Sequence, residues 1–224
     1  VIARKFGGVQ GISIIPNWAD ADEISPIDPG SNQFRHEHGL RDQFVVQFSG
    51  NIGRSHDIEL VLGAAHKLRH HDHITFLFVG YGGKSDLVMD AERRGLSNVK
   101  FVPRQPREKL AQMLSSSDVT IISFVDGMYG LSVPSRMYNV MASGTPILAS
   151  AHPKSELSLV VEEEGAGWVL PSSDADTLAS EIERLAGPAR AECRARGANG
   201  RKAAEGNYAL SAIARMYRDL FAQV

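Results

Sequence analysis

Short apolar runs of strand length alternate along this chain with longer stretches whose apolar residues recur at helical spacing. The runs at 44–48, 74–79, 99–102, 118–123, 146–149 and 167–170 read as strands. Between them, Ile58, Val61, Leu62, Ala65 and Leu68 fall on one face of a helix spanning about 57–70. Leu87, Val88 and Ala91 mark a second helix, and others are expected near 108–114 and 156–161. Ala175, Leu178, Ile182 and Leu185 lie on a further one, capped by Ser173 or Asp174. The strands are continuously apolar rather than alternating, which predicts a sheet covered on both faces. The fold class is therefore α/β, a doubly wound parallel sheet of Rossmann-like type.

The ends of the chain carry weaker signals. Residues 1–11, with Gly7-Gly8, read as a linker, and 12–15 as a short strand stopped by Pro16-Asn17. Pro26, Pro29 and Gly30 break a long loop, after which Ser31 is expected to cap a short helix reaching about His38 and closed by Gly39. Residues 188–224 read as helical and charged, the last part amphipathic through Ile213, Met216, Tyr217 and Leu220. Opening at Val1 without an initiator Met, the sequence reads as a piece of a longer protein.

In a doubly wound sheet, ligands bind beyond the carboxyl ends of the strands. Three loops are predicted at that edge: 50–56, 80–83 and 124–134. The last leads into a helix in which Pro134 suits the first turn, Ser132 or Val133 the cap, and Gly144 the close. Such a helix start offers free N–H groups and a positive dipole end, which favour phosphate. Arg136 in its first turn opposes that dipole, at a cost of roughly 0.3–1 kcal/mol. A bound anion would offset this cost; an ordinary surface arginine is the other reading.

Composition narrows the classes. In 224 residues, 24 Lys and Arg face 26 Asp and Glu, a net charge of -2, so no general nucleic-acid surface is expected. A single cysteine, Cys193, excludes an internal disulfide. No apolar run reaches the ~18 residues of a membrane helix. The string Gly80-Tyr81-Gly82-Gly83-Lys84-Ser85 fails as a P-loop, because Phe78 stands where the first glycine belongs. It also fails as a dinucleotide fingerprint, because Ser85 replaces the third glycine. What remains is a tight turn that either lets a flat base approach the backbone or is plain turn chemistry. His66 and His70 share a helix face but suggest no third ligand, so no metal site is expected.

Several short strings match a known family in order and spacing. Residues 14–20 (IIPNWAD) resemble its entry segment, and Phe48-Ser49-Gly50-Asn51-Ile52-Gly53 its first glycine loop. Phe78-Val79-Gly80-Tyr81-Gly82 resembles its VGxG turn, Asn98-Val99-Lys100-Phe101 its NVxF, and Ser117-Asp118-Val119 its ADV. Val133-Pro134-Ser135-Arg136 with 141–146 (MASGTP) is similar to the VPSK…MAxGxP of a bacterial polysaccharide-building branch. On these strings the chain resembles the C-terminal, donor-binding domain of a glycosyltransferase family 4 enzyme of GT-B fold.

The resemblance implies a retaining, metal-independent transferase using a nucleotide diphosphate sugar, a UDP-sugar, on a polysaccharide or glycolipid acceptor. It implies a linker remnant at 1–11, a donor domain at 12–205, and a helix at 206–224 packing toward an absent N-terminal acceptor domain. No cofactor is implied. The parent would be a cytoplasmic bacterial enzyme, peripheral to the inner face of the membrane in some cases, and the chain alone would be inactive. Catalytic roles fall to Arg54 and Arg136, and nucleotide-sugar contacts to Gly50, Asn51, Gly53, His56, Gly80, Tyr81, Gly82, Val102, Ser132, Val133, Pro134, Ser135 and Asn139. Two departures stand out. The family's paired Glu residues align with about Leu131 and with Asn139, and the Arg and Lys of its first glycine loop align with Asn51 and His56. A sugar-nucleotide epimerase of similar architecture and a non-catalytic nucleotide-sugar-binding module are the alternatives.

Overall fold

Six strands form one parallel sheet in the computed structural model, which describes residues 12–170 and 174–222. They are β1 (Phe44–Asn51), β2 (Ile74–Tyr81), β3 (Val99–Pro103), β4 (Val119–Ser123), β5 (Ile147–Ser150) and β6 (Gly167–Leu170). Their order is β3-β2-β1-β4-β5-β6, so the chain reverses direction across the sheet between β1 and β4. That reversal opens a crevice beyond the carboxyl ends of these two strands. The expected linker at 1–11 and the alternative cap Ser173 lie outside the described residues.

Alternate residues of each strand enter two separate cores, as the pleat requires. Val45, Leu77, Val79, Ile122, Ile147 and Ala149 pack on one face with α1 (Gln33–Glu37), α4 (Leu110–Leu114), α5 (Arg136–Ala142) and α6 (Glu156–Glu163). Phe44, Val46, Phe48, Phe76, Phe78, Ile121 and Leu148 pack on the other, against α2 (Ile58–Lys67), α3 (Ser85–Arg93) and α7 (Ala175–Ala186). Two helices follow, α8 (Arg190–Gly206) and α9 (Leu210–Phe221). The expected periodic faces are the buried ones: Ile58, Val61, Ala65 and Leu68 in and just past α2, and Leu178, Ile182 and Leu185 in α7.

Three local expectations need correction. Residues 12–15 form no strand: nothing among the described residues pairs with them, Ile14 is 80% exposed, and a lone bridge joins Ala19 to Ala209. Asn32, not Ser31, caps α1, accepting the Arg35 N–H at 3.1 Å. α5 begins at Arg136 with Ser135 at its cap, so Pro134 stands just outside the helix rather than in its first turn. Ser143 and Gly144 end it as expected, Gly144 at φ +70° with Thr145 N–H reaching back to Val140.

The close of α5 is pinned by α8. A Cβ on Gly197 would lie 2.0 Å from the Gly144 carbonyl oxygen, so the two backbones touch where only glycine fits. A mid-helix alanine normally stabilises by up to ~1 kcal/mol over glycine. Gly197→Ala should instead destabilise by about 2 kcal/mol or more, because backbone must shift. Gly206→Ala, in the last turn of the same helix with nothing within 4 Å of its Cβ position, should be neutral or stabilising. Urea unfolding of the two variants measures the contrast.

Candidate functional site

The three expected loops meet at the carboxyl edge. Loop 52–57 leaves β1 and is tied to the turn after β2 by Ile52 N–H to the Tyr81 carbonyl (2.7 Å) and Lys84 N–H to the Ile52 carbonyl (2.9 Å). It is tied to the segment after β4 by Val125 N–H to the Ser55 carbonyl (3.1 Å) and the Ser123 hydroxyl to the Asp57 carbonyl (3.1 Å). The glycines have a packing reason. A Cβ at Gly80 would lie 1.9 Å from the Gly50 carbonyl oxygen, and one at Gly82 would lie 2.4 Å from that of Ile52. Their requirement for glycine thus comes from the neighbouring backbone, before any base is considered. Gly50, with φ +112°, lets the Arg136 side chain pass, and Gly53 lies against the Asn51 amide.

Arg136 is the centre of this edge. It leaves the first position of α5 and crosses to the end of β1, where Nη1 donates to the Ser49 carbonyl at 2.6 Å. Its guanidinium lies 4.5 Å from the centre of the Phe48 ring, and Nη2 stands 3.0 Å from the His56 ring nitrogens. Burial pushes its pKa down to about 10, so it stays charged at neutral pH. Among the described residues no carboxylate pairs with it. Arg136 is therefore no freely solvated arginine: it is a half-buried cation held by a carbonyl, a ring face and an imidazole.

His56 is 8% exposed, stacked on Phe124 at 5.1 Å and edge-on to Phe48 at 5.4 Å. Its Nδ1 lies 2.8 Å from the Ser123 carbonyl, which assigns the proton there and leaves Nε2 to accept from Arg136. Burial first, and Arg136 second, lower its pKa from 6.5 to about 4. This position therefore holds a neutral imidazole. Lys84, undetected as a site residue in the sequence, spans the same loop, donating to the His56 carbonyl (3.0 Å) and to Glu59 (2.6 Å). Arg104, also undetected, sits 5.6 Å over the ring of Tyr81, which is 57% exposed at the end of β2. Distance in sequence concealed both: each acts beside a loop from another strand.

The remaining expected residues divide. Ser132, Val133, Pro134 and Ser135 lead into α5, but Ser135, Met137 and Tyr138 already use their N–H groups within the turn. Free helix-start donors are thus fewer than the sequence implied; the Arg136 N–H is one left without an acceptor among the described residues. Asn139, one turn beyond Arg136, accepts the Asp20 N–H at 3.1 Å through Oδ1, so part of its capacity anchors the entry segment. Val102 is 4% exposed with its side chain in the sheet core, so its main chain is what it can offer a ligand. Arg54 is exposed and forms no ion pair among the described residues. Beside Ser132, a cavity of about 290 Å³ opens between the loops after β4 and β5, with Tyr129 stacked on His152 at 4.4 Å. No group of three His, Cys, Asp or Glu side chains able to hold a metal gathers among the described residues.

The lowered pKa of His56 makes stability depend on pH. The unfolded chain binds this proton below pH 6.5 and the folded chain only near pH 4, so the unfolded state holds more protons between them. The contribution is complete above pH 6.5 and is lost as pH falls toward 4. By the ~1.4 kcal/mol per pKa unit rule its ceiling is about 3 kcal/mol. In denaturant titrations at several pH values, His56→Gln should flatten the acid-side loss of stability by up to that amount.

A model of the family described as "Glycosyl transferases group 1" matches residues 31–203. The chain is 30% identical over 186 residues to a probable glycosyltransferase, WbjE, of Pseudomonas aeruginosa, covering 83% of this chain and 46% of that protein. It is 30% identical over 162 residues to a putative colanic acid biosynthesis glycosyl transferase, WcaI, of Escherichia coli, covering 71% and 40%. Among solved structures, Anabaena HepE in complex with UDP-glucose superposes with a TM-score of 0.78 at 18% identity, over 99% of this chain and 60% of that one. At that identity the likeness speaks for the fold, the C-terminal half of a GT-B glycosyltransferase. The chain spans about half the length of the curated relatives it matches. With the matched model covering most of its length and the parallel sheet in place, this chain belongs to the glycosyl transferases group 1 family.

Proposed function

We propose that this chain is the donor-binding half of a retaining, metal-independent glycosyltransferase that takes a UDP-sugar and serves polysaccharide or glycolipid assembly. The observation that carries the reading is Arg136, a half-buried cation at the crevice between β1 and β4 without a carboxylate partner among the described residues. A diphosphate supplies the missing anion. During transfer the bond between the anomeric carbon and the phosphate oxygen breaks, and its electron pair stays on the diphosphate. Fixed donors aimed at that developing charge lower the barrier. Arg136 is already fixed by Ser49, Phe48 and His56; Arg54, on the exposed loop, closes onto the phosphates when the donor arrives. Tyr81 with Arg104 offers a ring face near the base, and the Nδ2 of Asn139 remains to donate to a ribose oxygen. The use of uridine is favoured by HepE, a structural neighbour that binds UDP-glucose. Assembly of a polysaccharide is favoured by relatives such as WcaI, named for colanic acid biosynthesis.

The acceptor half lies in a separate N-terminal domain. α9 is the surface that meets it: Leu210, Met216, Tyr217 and Phe221 are 40–71% exposed, while Ile213 alone is buried beneath them. Ile14 and Ile15 line a cleft with Met216 and Leu220, which extends this apolar face. The chain by itself should bind nucleotide and transfer no sugar. Turnover by the purified chain would contradict this division of labour.

Calorimetry with UDP and with uridine tests the site. UDP should bind more tightly than uridine, and less so as salt rises. Arg136→Ala should remove about 1.5–3 kcal/mol of that preference, the worth of a charged hydrogen bond, and leave uridine affinity nearly unchanged. If the variant folds and keeps the full preference for the diphosphate, Arg136 is not its ligand and the proposal fails.

A further inference from the structure

The largest cavity among the described pockets lies at the other end of the sheet. It holds about 820 Å³ and is bounded by the segments that enter β4 and β5, the loop 26–30, and one face of α8. Its lining carries six cations and three carboxylates. Two of the carboxylates are ion-paired and the third, Asp28, is held by a turn N–H without an ion pair among the described residues. Asp118 joins Arg35 at 3.1 Å and Arg190 at 3.2 Å, Glu205 joins Arg201 at 2.7 Å, and Asp28 accepts the Gly30 N–H at 2.8 Å. Arg194 and Lys202, both exposed along α8, have no ion-pair partner among the described residues, and Arg41 meets only the His36 ring at 2.9 Å. A wall of Pro26, Ile27, Pro29 and Pro146 completes the lining with apolar surface.

From this arrangement we infer that the cavity at the amino-terminal edge of the sheet binds a phosphorylated small molecule with an apolar body. Its volume is that of a metabolite-sized site. The cations left over on α8 and Arg41 would take the phosphate, for which arginine forks are suited. The proline wall would cover the apolar part, gaining in proportion to the surface removed from water. The site is separate from the Arg136 crevice, because the two lie at opposite ends of the parallel strands, and it does not rest on the transferase reading.

Phenyl phosphate and inorganic phosphate are suitable probes, titrated by calorimetry with UDP saturating the crevice. Phenyl phosphate should bind at one site and more tightly than inorganic phosphate. The double variant Arg194→Gln/Lys202→Gln should weaken it by about tenfold or more, as the loss of a charged hydrogen bond implies. Arg136→Ala should leave it unchanged, and an unaltered melting temperature of the double variant shows that the fold is intact. If UDP does not bind, the titration is run without it and the same comparison decides. No phenyl phosphate binding, or binding that the double variant retains or that Arg136→Ala abolishes, overturns the proposal.

Discussion

The candidate site depends on one half-buried cation. Arg136 is drawn out of water onto the end of β1, where a carbonyl oxygen, a phenyl face and a neutral imidazole surround it. Such partners orient a guanidinium but do not neutralise it, and burial makes its uncancelled charge costly. The same cation helps hold His56 neutral, so imidazole and guanidinium form a single electrostatic unit. A structure that merely needed stability would place a carboxylate here. Leaving the charge open suits a site whose anion arrives as substrate.

Geometry at this edge is set by backbone contacts rather than by side chains. Gly80 and Gly82 allow the turn after β2 to lie against loop 52–57, and hydrogen bonds join that loop to the segment after β4. At the far end of α5, Gly197 lets α8 press on the helix close, and Arg201 donates to the carbonyls of Ala142 and Ala21. Asn139 adds a bond to Asp20. The helix that carries Arg136 is therefore held at both ends. A seven-residue helix has little stability of its own, so its placement comes from these contacts.

The two ends of the sheet differ in their electrostatics. At the carboxyl edge the half-buried Arg136 stands at the strand reversal. At the amino edge many exposed cations share few carboxylates around a wider cavity. Exposed charges are solvated and contribute little to folding. Their arrangement thus bears on what the surface can bind rather than on what holds it together.

The order of β1 to β6 with the helices between them, and the covering of the sheet on both faces, followed from the sequence, because apolar periodicity and turn residues are local signals. The family strings were legible for the same reason: their residues are contiguous. Gly80 and Gly82 were visible as turn glycines, yet only the fold showed that β1 backbone demands them. The extended run at 12–15 misled, since a strand needs a partner that periodicity does not supply. The partners of Arg136, the neutrality of His56 and the roles of Lys84 and Arg104 were decided by tertiary structure alone. Each joins residues 20 or more positions apart, and the burial that shifts their chemistry exists only once the sheet has closed around them.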